Sequence, residues 1–161
     1  MFKTKIGWIL GTAMILMFGC ADAHLGMRYQ RFSMGRINKD SIYCYRFVWG
    51  SDGIAYCITA KNNPCLGLNV QQDICLGKGE RNIYFKLEKD SLTLYTNVRS
   101  EVPVDFPGVV LLGSFDSKSY SQMDDSVDTG NLRRVTFDTA FAESSCYLFY
   151  DSFTRVIRRA D

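Results

Sequence analysis

The sequence predicts an all-β fold on three observations. Apolar residues recur with period two along several segments, and turn-forming residues interrupt them roughly every eight to twelve residues. No stretch after Phe18 sustains the 3.6-residue period of an amphipathic helix. Taken in order, Ile83, Phe85 and Leu87 alternate with Tyr84, Lys86 and Glu88. Leu92, Leu94, Thr96 and Val98 repeat the period, as do Val102, Val104 and Phe106. Val135, Thr136, Phe137 and Phe141 lie in a further β-rich run, and Cys146–Phe153 follows with four aromatic residues. Turns are expected at Gly50–Gly53, Asn62–Pro64, Gly77–Gly79, Glu88–Asp90, Pro107–Gly108 and Thr129–Asn131, where Gly, Pro, Asn and Asp cluster. Short strands so spaced suggest a sandwich or a barrel. The polar, acidic stretch Ser114–Asp128 shows no strong period and is expected to be a long mobile loop.

The N-terminus has its own logic. Met1–Lys5 is short and basic, Ile6–Phe18 is apolar and uncharged, and Ala21-Asp22-Ala23 offers small residues where a signal peptidase reads. The expectation is a signal peptide over residues 1–23, cleavage before His24, and a secreted, extracellular domain over 24–161. The apolar run is too short for a span of ~20 residues, so no transmembrane segment is expected. Lipid anchoring through Cys20 is the rival reading, and Phe18 is bulky where such sites prefer a small residue.

Charge excludes one class of partner. Removing Lys3, Lys5 and Asp22 from 19 basic and 17 acidic residues leaves a net charge close to +1. Nucleic-acid binders show a basic face and a pI above ~9, so no nucleic-acid partner is expected. Basic clusters at Arg28/Arg31/Arg36/Lys39 and Arg155/Arg158/Arg159 read as solvated ends, or as contacts for an anionic headgroup or an acidic partner surface. No Asn-x-Ser/Thr sequon occurs.

Catalysis is disfavoured by composition. His24 is the only histidine, and it would become the extreme N-terminus. A Ser-His-Asp triad, a Cys-His dyad or a multi-histidine zinc site therefore cannot be built within the fold. Asp124/Asp125 are adjacent acids in a polar stretch, and Gly77-Lys78-Gly79 lacks P-loop spacing. The chain is expected to be no enzyme, with neither cofactor nor metal.

The cysteines are uneven. Cys44, Cys57, Cys65 and Cys75 crowd together and Cys146 stands alone, in spacings that suit disulfides better than a zinc knuckle or CxxC. A late cysteine of this kind staples the last strand to an early one, and the odd count leaves one thiol over.

Four segments carry a resemblance. CYRFVWGSDGIAYC (44–57), CLGKGERNIYFKLEKDSLTLY (75–95), EVPVDFPG (101–108) and TGNLRRVTFDTAFAESSCYLF (129–149) follow one another in the order seen in ML lipid-recognition domains. The cysteine arrangement is most similar to the lymphocyte-antigen-type co-receptors of Toll-like receptors. The resemblance implies an immunoglobulin-like, two-sheet antiparallel β-sandwich with a lipid cavity between the sheets. It implies disulfides Cys44–Cys75 and Cys57–Cys146, with Cys65 free. One departure stands out: residues 76–145 hold no cysteine, although the family pins a mid-chain loop there.

The implied function is a secreted accessory protein that holds an amphiphile, such as bacterial lipopolysaccharide, and presents it to a Toll-like receptor in innate immunity and the inflammatory response. Phe85, Leu87, Leu94, Val98, Val104, Phe106, Val135, Phe137 and Phe149 would line the lipid cavity. Because the 114–128 stretch is acidic, Lys86, Lys89, Arg99, Arg133 and Arg134 are the expected headgroup contacts. Two alternatives are a lipid-transfer or glycolipid-hydrolase activator protein, and a disulfide-stapled secreted binding module with a packed core and no lipid.

Overall fold

Two ten-residue strands, β1 (Arg28–Ile37) and β2 (Asp40–Trp49), meet across a two-residue turn. Asn38 takes φ 55 there, a left-handed conformation that asparagine tolerates better than other side chains. In this computed structural model the described residues are 27–69, 71–76, 82–97, 101–115, 119–143, 148–151 and 156–159. β2 returns through Gly50–Asp52 into β3 (Gly53–Thr59), and a 3-10 turn (Pro64–Leu66) leads to β4 (Ile74–Leu76). With β9 (Ala142–Glu143) these strands form one sheet in the order β4-β3-β2-β1-β9.

The second sheet has the order β7-β6-β5-β8, from β5 (Tyr84–Leu87), β6 (Ser91–Thr96), β7 (Val109–Ser114) and β8 (Arg133–Arg134). All pairings are antiparallel except β6 with β7. A third pair, β10 (Leu148–Asp151) and β11 (Val156–Arg159), forms its own two-stranded ladder.

Period-two alternation decides what each sheet buries. From the first sheet Met34, Ile37, Ile42, Cys44, Tyr56, Ile58, Ile74 and Leu76 enter one cluster with Phe85, Leu92 and Leu94 of the second. The two sheets therefore close over a shared apolar layer as an all-β sandwich. The opposite face of the first sheet is apolar as well: Tyr45, Phe47, Cys57 and Leu68 make a second buried cluster.

Three local expectations are corrected. Part of the 114–128 stretch forms a helix, α1 (Tyr120–Asp128), rather than an irregular loop. Tyr120, Met123 and Val127 recur at helical spacing and are half-buried, and Phe115 meets both Tyr84 and Tyr120 edge-on at 5.6 and 5.1 Å. Residues 101–106 alternate like a strand but form none, because Pro103 cannot donate to a ladder. Residues 135–141 likewise run outside any strand, between the short β8 and β9.

Candidate functional site

The residues expected to line a cavity are mostly packed in the sandwich interior. Phe85 and Leu94 stand opposite each other on β5 and β6, and both are 0% exposed. Phe106 and Val135 are buried in the same cluster, with Leu87 and Phe137 packed partly buried against it. Phe85 meets Phe32 edge-on at 6.0 Å, and Phe137 lies between Phe32 (6.5 Å) and Tyr56 (6.0 Å). A side chain lining an empty space of lipid size would present accessible surface to it. Phe85, Leu92 and Leu94 present none. Val104 is 97% exposed and does not belong to the interior at all, since the Pro103–Phe106 bend carries it outward. Val98 and the side chain of Phe149 lie outside the described residues.

Among the described residues the expected headgroup cations do not converge. Lys86 pairs with Glu88 at 2.8 Å on the exposed face. The hydrogen bond to Glu88 and its charge hold the ammonium pKa above its ordinary value and the Glu88 carboxyl below its own. Lys89 is exposed at the β5–β6 turn, where its carbonyl accepts from Asn38 N–H at 3.0 Å. Arg133 and Arg134 are consecutive on β8 and so point to opposite faces. Arg133 lies over the Phe85 ring at 5.0 Å and donates to the Met34 carbonyl at 2.8 Å. Arg134 donates to Asn82, approaches Asp124 at 3.5 Å and lies 5.8 Å from the Tyr84 ring centre. Arg99 lies outside the described residues.

Tyr84 joins that outer cluster to α1. Its hydroxyl donates to Asp124 Oδ1 at 2.8 Å, and desolvation, reinforced by that hydrogen bond, pushes its pKa up to about 12. Burial likewise raises Tyr45 to about 12.

Sequence reasoning missed a different constellation. Strand register places Gln30 opposite Arg46, with Arg28 two residues along on the same face. The Arg28 and Arg46 guanidinium carbons lie 5.2 and 5.9 Å from the centre of one ring, Phe141. Gln30 is buried and bridges the group: its Oε1 accepts from Arg46 Nη1 at 3.3 Å, while its Nε2 donates to the Thr139 carbonyl at 2.5 Å. Arg46 Nε is buried with no hydrogen-bond partner. Glu143 stands opposite Arg28 across β1 and β9, yet among the described residues neither guanidinium has a carboxylate within 4.0 Å. The clue in the sequence is the alternation Cys44, Arg46, Val48, which puts one arginine on a core-facing row. By contrast Arg31 and Arg36 are taken up by the carbonyls of Asn62 and Lys39, each at 3.1 Å.

The disulfide pattern implied by the resemblance is corrected. Cys44, Cys57 and Cys75 are free thiols, whereas Cys65 is disulfide-bonded. Its partner lies outside the described residues, as does Cys146. Cys44–Cys75 is excluded by register. Cys44 lies opposite Ile58, which lies opposite Ile74, so Cys44 and Cys75 sit two strands apart on opposite faces. Two strand spacings are about 9.5 Å, beyond the ~7 Å Cα separation a disulfide can bridge. Burial raises the Cys44 thiol pKa well above its ordinary value.

Among the described residues no group of three or more His, Cys, Asp or Glu side chains could hold a metal ion, and no helix is long and apolar enough to cross a membrane. Comparison of the chain with family models, curated proteins and solved structures found no match. The resemblance to ML domains therefore rests on the sequence motifs alone.

Proposed function

We propose that the chain is an exported, non-catalytic β-sandwich binding module that keeps a packed core and engages a carboxylate of an acidic protein partner at Arg28 and Arg46. One observation carries the reading: the buried, unpartnered Nε of Arg46, on a guanidinium that Gln30 holds and that shares the Phe141 ring with Arg28. A buried donor left unpaired costs ~1–3 kcal/mol, and a carboxylate that displaces the exposed Phe141 ring from the Arg46 guanidinium would recover that cost. A guanidinium also presents a planar fork that a carboxylate can accept in two parallel hydrogen bonds. The packed interior favours an acidic peptide over a lipid headgroup, whose acyl chains would need a seat between the sheets.

The test is an NMR titration of the arginine Nε–H resonances with a glutamate-rich peptide, run beside vesicles of anionic phospholipid. The reading expects the Arg28 and Arg46 signals to shift saturably with the peptide, and Arg46→Met to abolish the response. Signals unmoved by the peptide but moved by vesicles would transfer the site to lipid. Silence toward both would remove it.

The lipid-carrier and Toll-like-receptor readings draw their support from the four ordered motifs. They require the sheets to part around acyl chains, each buried CH₂ returning about 0.8 kcal/mol. Their test is direct detection of bound lipid.

A further inference from the structure

Cys57 and Cys75 occupy directly opposed positions on β3 and β4. Opposed residues in an antiparallel pair have Cα atoms about 4.5–5.5 Å apart, inside the ~4.4–6.8 Å range of disulfides. Their Sγ atoms already lie 3.7 Å apart. We propose that Cys57 and Cys75 form a cross-strand disulfide by exchange with a small disulfide donor, fastening β4 to the rest of its sheet.

The surroundings assign the two thiols different parts. β4 is the outer strand of its sheet, and Cys75 is partly exposed on it. Cys57 is 1% exposed, enclosed in the same buried cluster as Tyr45, which stands opposite it on β2. A donor can therefore reach Cys75 and not Cys57. The Cys75 thiolate attacks one sulfur of the donor, forming a mixed disulfide and releasing the first donor thiolate. Cys57 then loses its proton to solvent and attacks the Cys75 sulfur, expelling the second. Two protein thiols are oxidised, one donor disulfide is reduced to two thiols, and no other reactant is needed. The hydrogen bond with Cys75 and burial both hold the Cys57 proton tightly, which makes this second step the slower one.

No described cysteine competes. Cys44 is on the other face of the sheet, and Cys65 is already bonded. The loop that closes is short, with a separation of 18 positions. It encloses the 3-10 turn that carries Cys65, so two covalent links would pin one loop. The bond also addresses a weakness, because β4 has three residues and only β3 as neighbour.

The experiment takes the folded protein with its Cys65 disulfide intact and Cys57 and Cys75 as thiols, incubates it with oxidised glutathione, then alkylates it in denaturant and maps peptides without reduction. The expected result is a Cys57–Cys75 linked peptide with Cys44 alkylated. Full alkylation of both Cys57 and Cys75, or linkage of either to Cys44, would overturn the proposal. Two variants test the order of attack. Cys57→Ser should accumulate a glutathione adduct at Cys75, whereas Cys75→Ser should leave Cys57 unmodified in the folded state. Glutathione on Cys57 rather than Cys75 would reverse the assignment. The wild-type map remains decisive if a variant fails to fold.

Discussion

Phe85→Ala separates a filled interior from an open one. The Phe85 ring is wholly enclosed, with Leu94 opposite, Phe32 edge-on at 6.0 Å and the Arg133 guanidinium 5.0 Å from its centre. Truncating a ring in a packed core costs about 3–5 kcal/mol, the lost burial plus the void left behind. The aromatic pair accounts for ~0.5–1.5 kcal/mol of this and the cation–π contact for ~0.5–1 kcal/mol. At a urea m-value of about 2 kcal/mol/M, a loss near 4 kcal/mol lowers the unfolding midpoint by about 2 M. Phe85→Leu, which refills most of the volume, should lose only about 1.5 kcal/mol. Equilibrium urea unfolding by fluorescence measures both. A loss below about 1.5 kcal/mol for Phe85→Ala, with unchanged m, would mean that the ring faces empty space and would refute the packed-core argument.

Gly108 has φ 98, and an added Cβ would lie 2.8 Å from the Asp90 carbonyl oxygen and strike Ile37. Gly108→Ala should therefore cost at least about 2 kcal/mol by thermal unfolding, through backbone strain and a contact that cannot give. Lys61 is the cation paired with buried Asp73 at 2.9 Å, and it also donates to the Gly67 carbonyl at 2.6 Å. Lys61→Met should cost about 2–3 kcal/mol by urea unfolding, because among the described residues the carboxylate would keep only the Asn69 N–H. Tyr45 and Tyr84 hold their phenolic protons more tightly folded than unfolded, with pKa values raised from 10.0 to about 12. The stability they add is complete below about pH 10 and is lost as pH rises through about 12. Tyr84→Phe should flatten that alkaline decline and remove one late step from the phenolate absorbance titration.

Strands β5 and β6 of the second sheet were legible because half-burial writes itself as alternation, whereas β7, mostly exposed and paired in parallel, was not read as a strand. Ile83, Phe85, Leu87, Leu92 and Leu94 read correctly as one face. Val102 and Val104 show the same alternation without being in a strand, since periodicity registers side-chain polarity and not the missing N–H of Pro103. The helix α1 escaped notice because its apolar stripe is only Tyr120, Met123 and Val127 within a polar, acidic segment. Cysteine pairing was illegible for a different reason. Connectivity depends on strand register, and only the fold brings Cys57 opposite Cys75 and turns Cys44 to the other face. The Arg28–Arg46–Phe141 group joins positions about a hundred residues apart, so no local pattern could assemble it. Within the expected cation set, Arg133 and Arg134 are adjacent in sequence and are therefore drawn to opposite faces of β8.

The packed module proposed above has side chains, not a lipid, filling the space between the sheets. Native mass spectrometry of the protein purified without detergent, with chromatography of its organic extract, tests this most directly. The expected result is the mass of the polypeptide alone and no stoichiometric acyl lipid in the extract. One lipid per chain in both measurements would contradict it and restore the cavity.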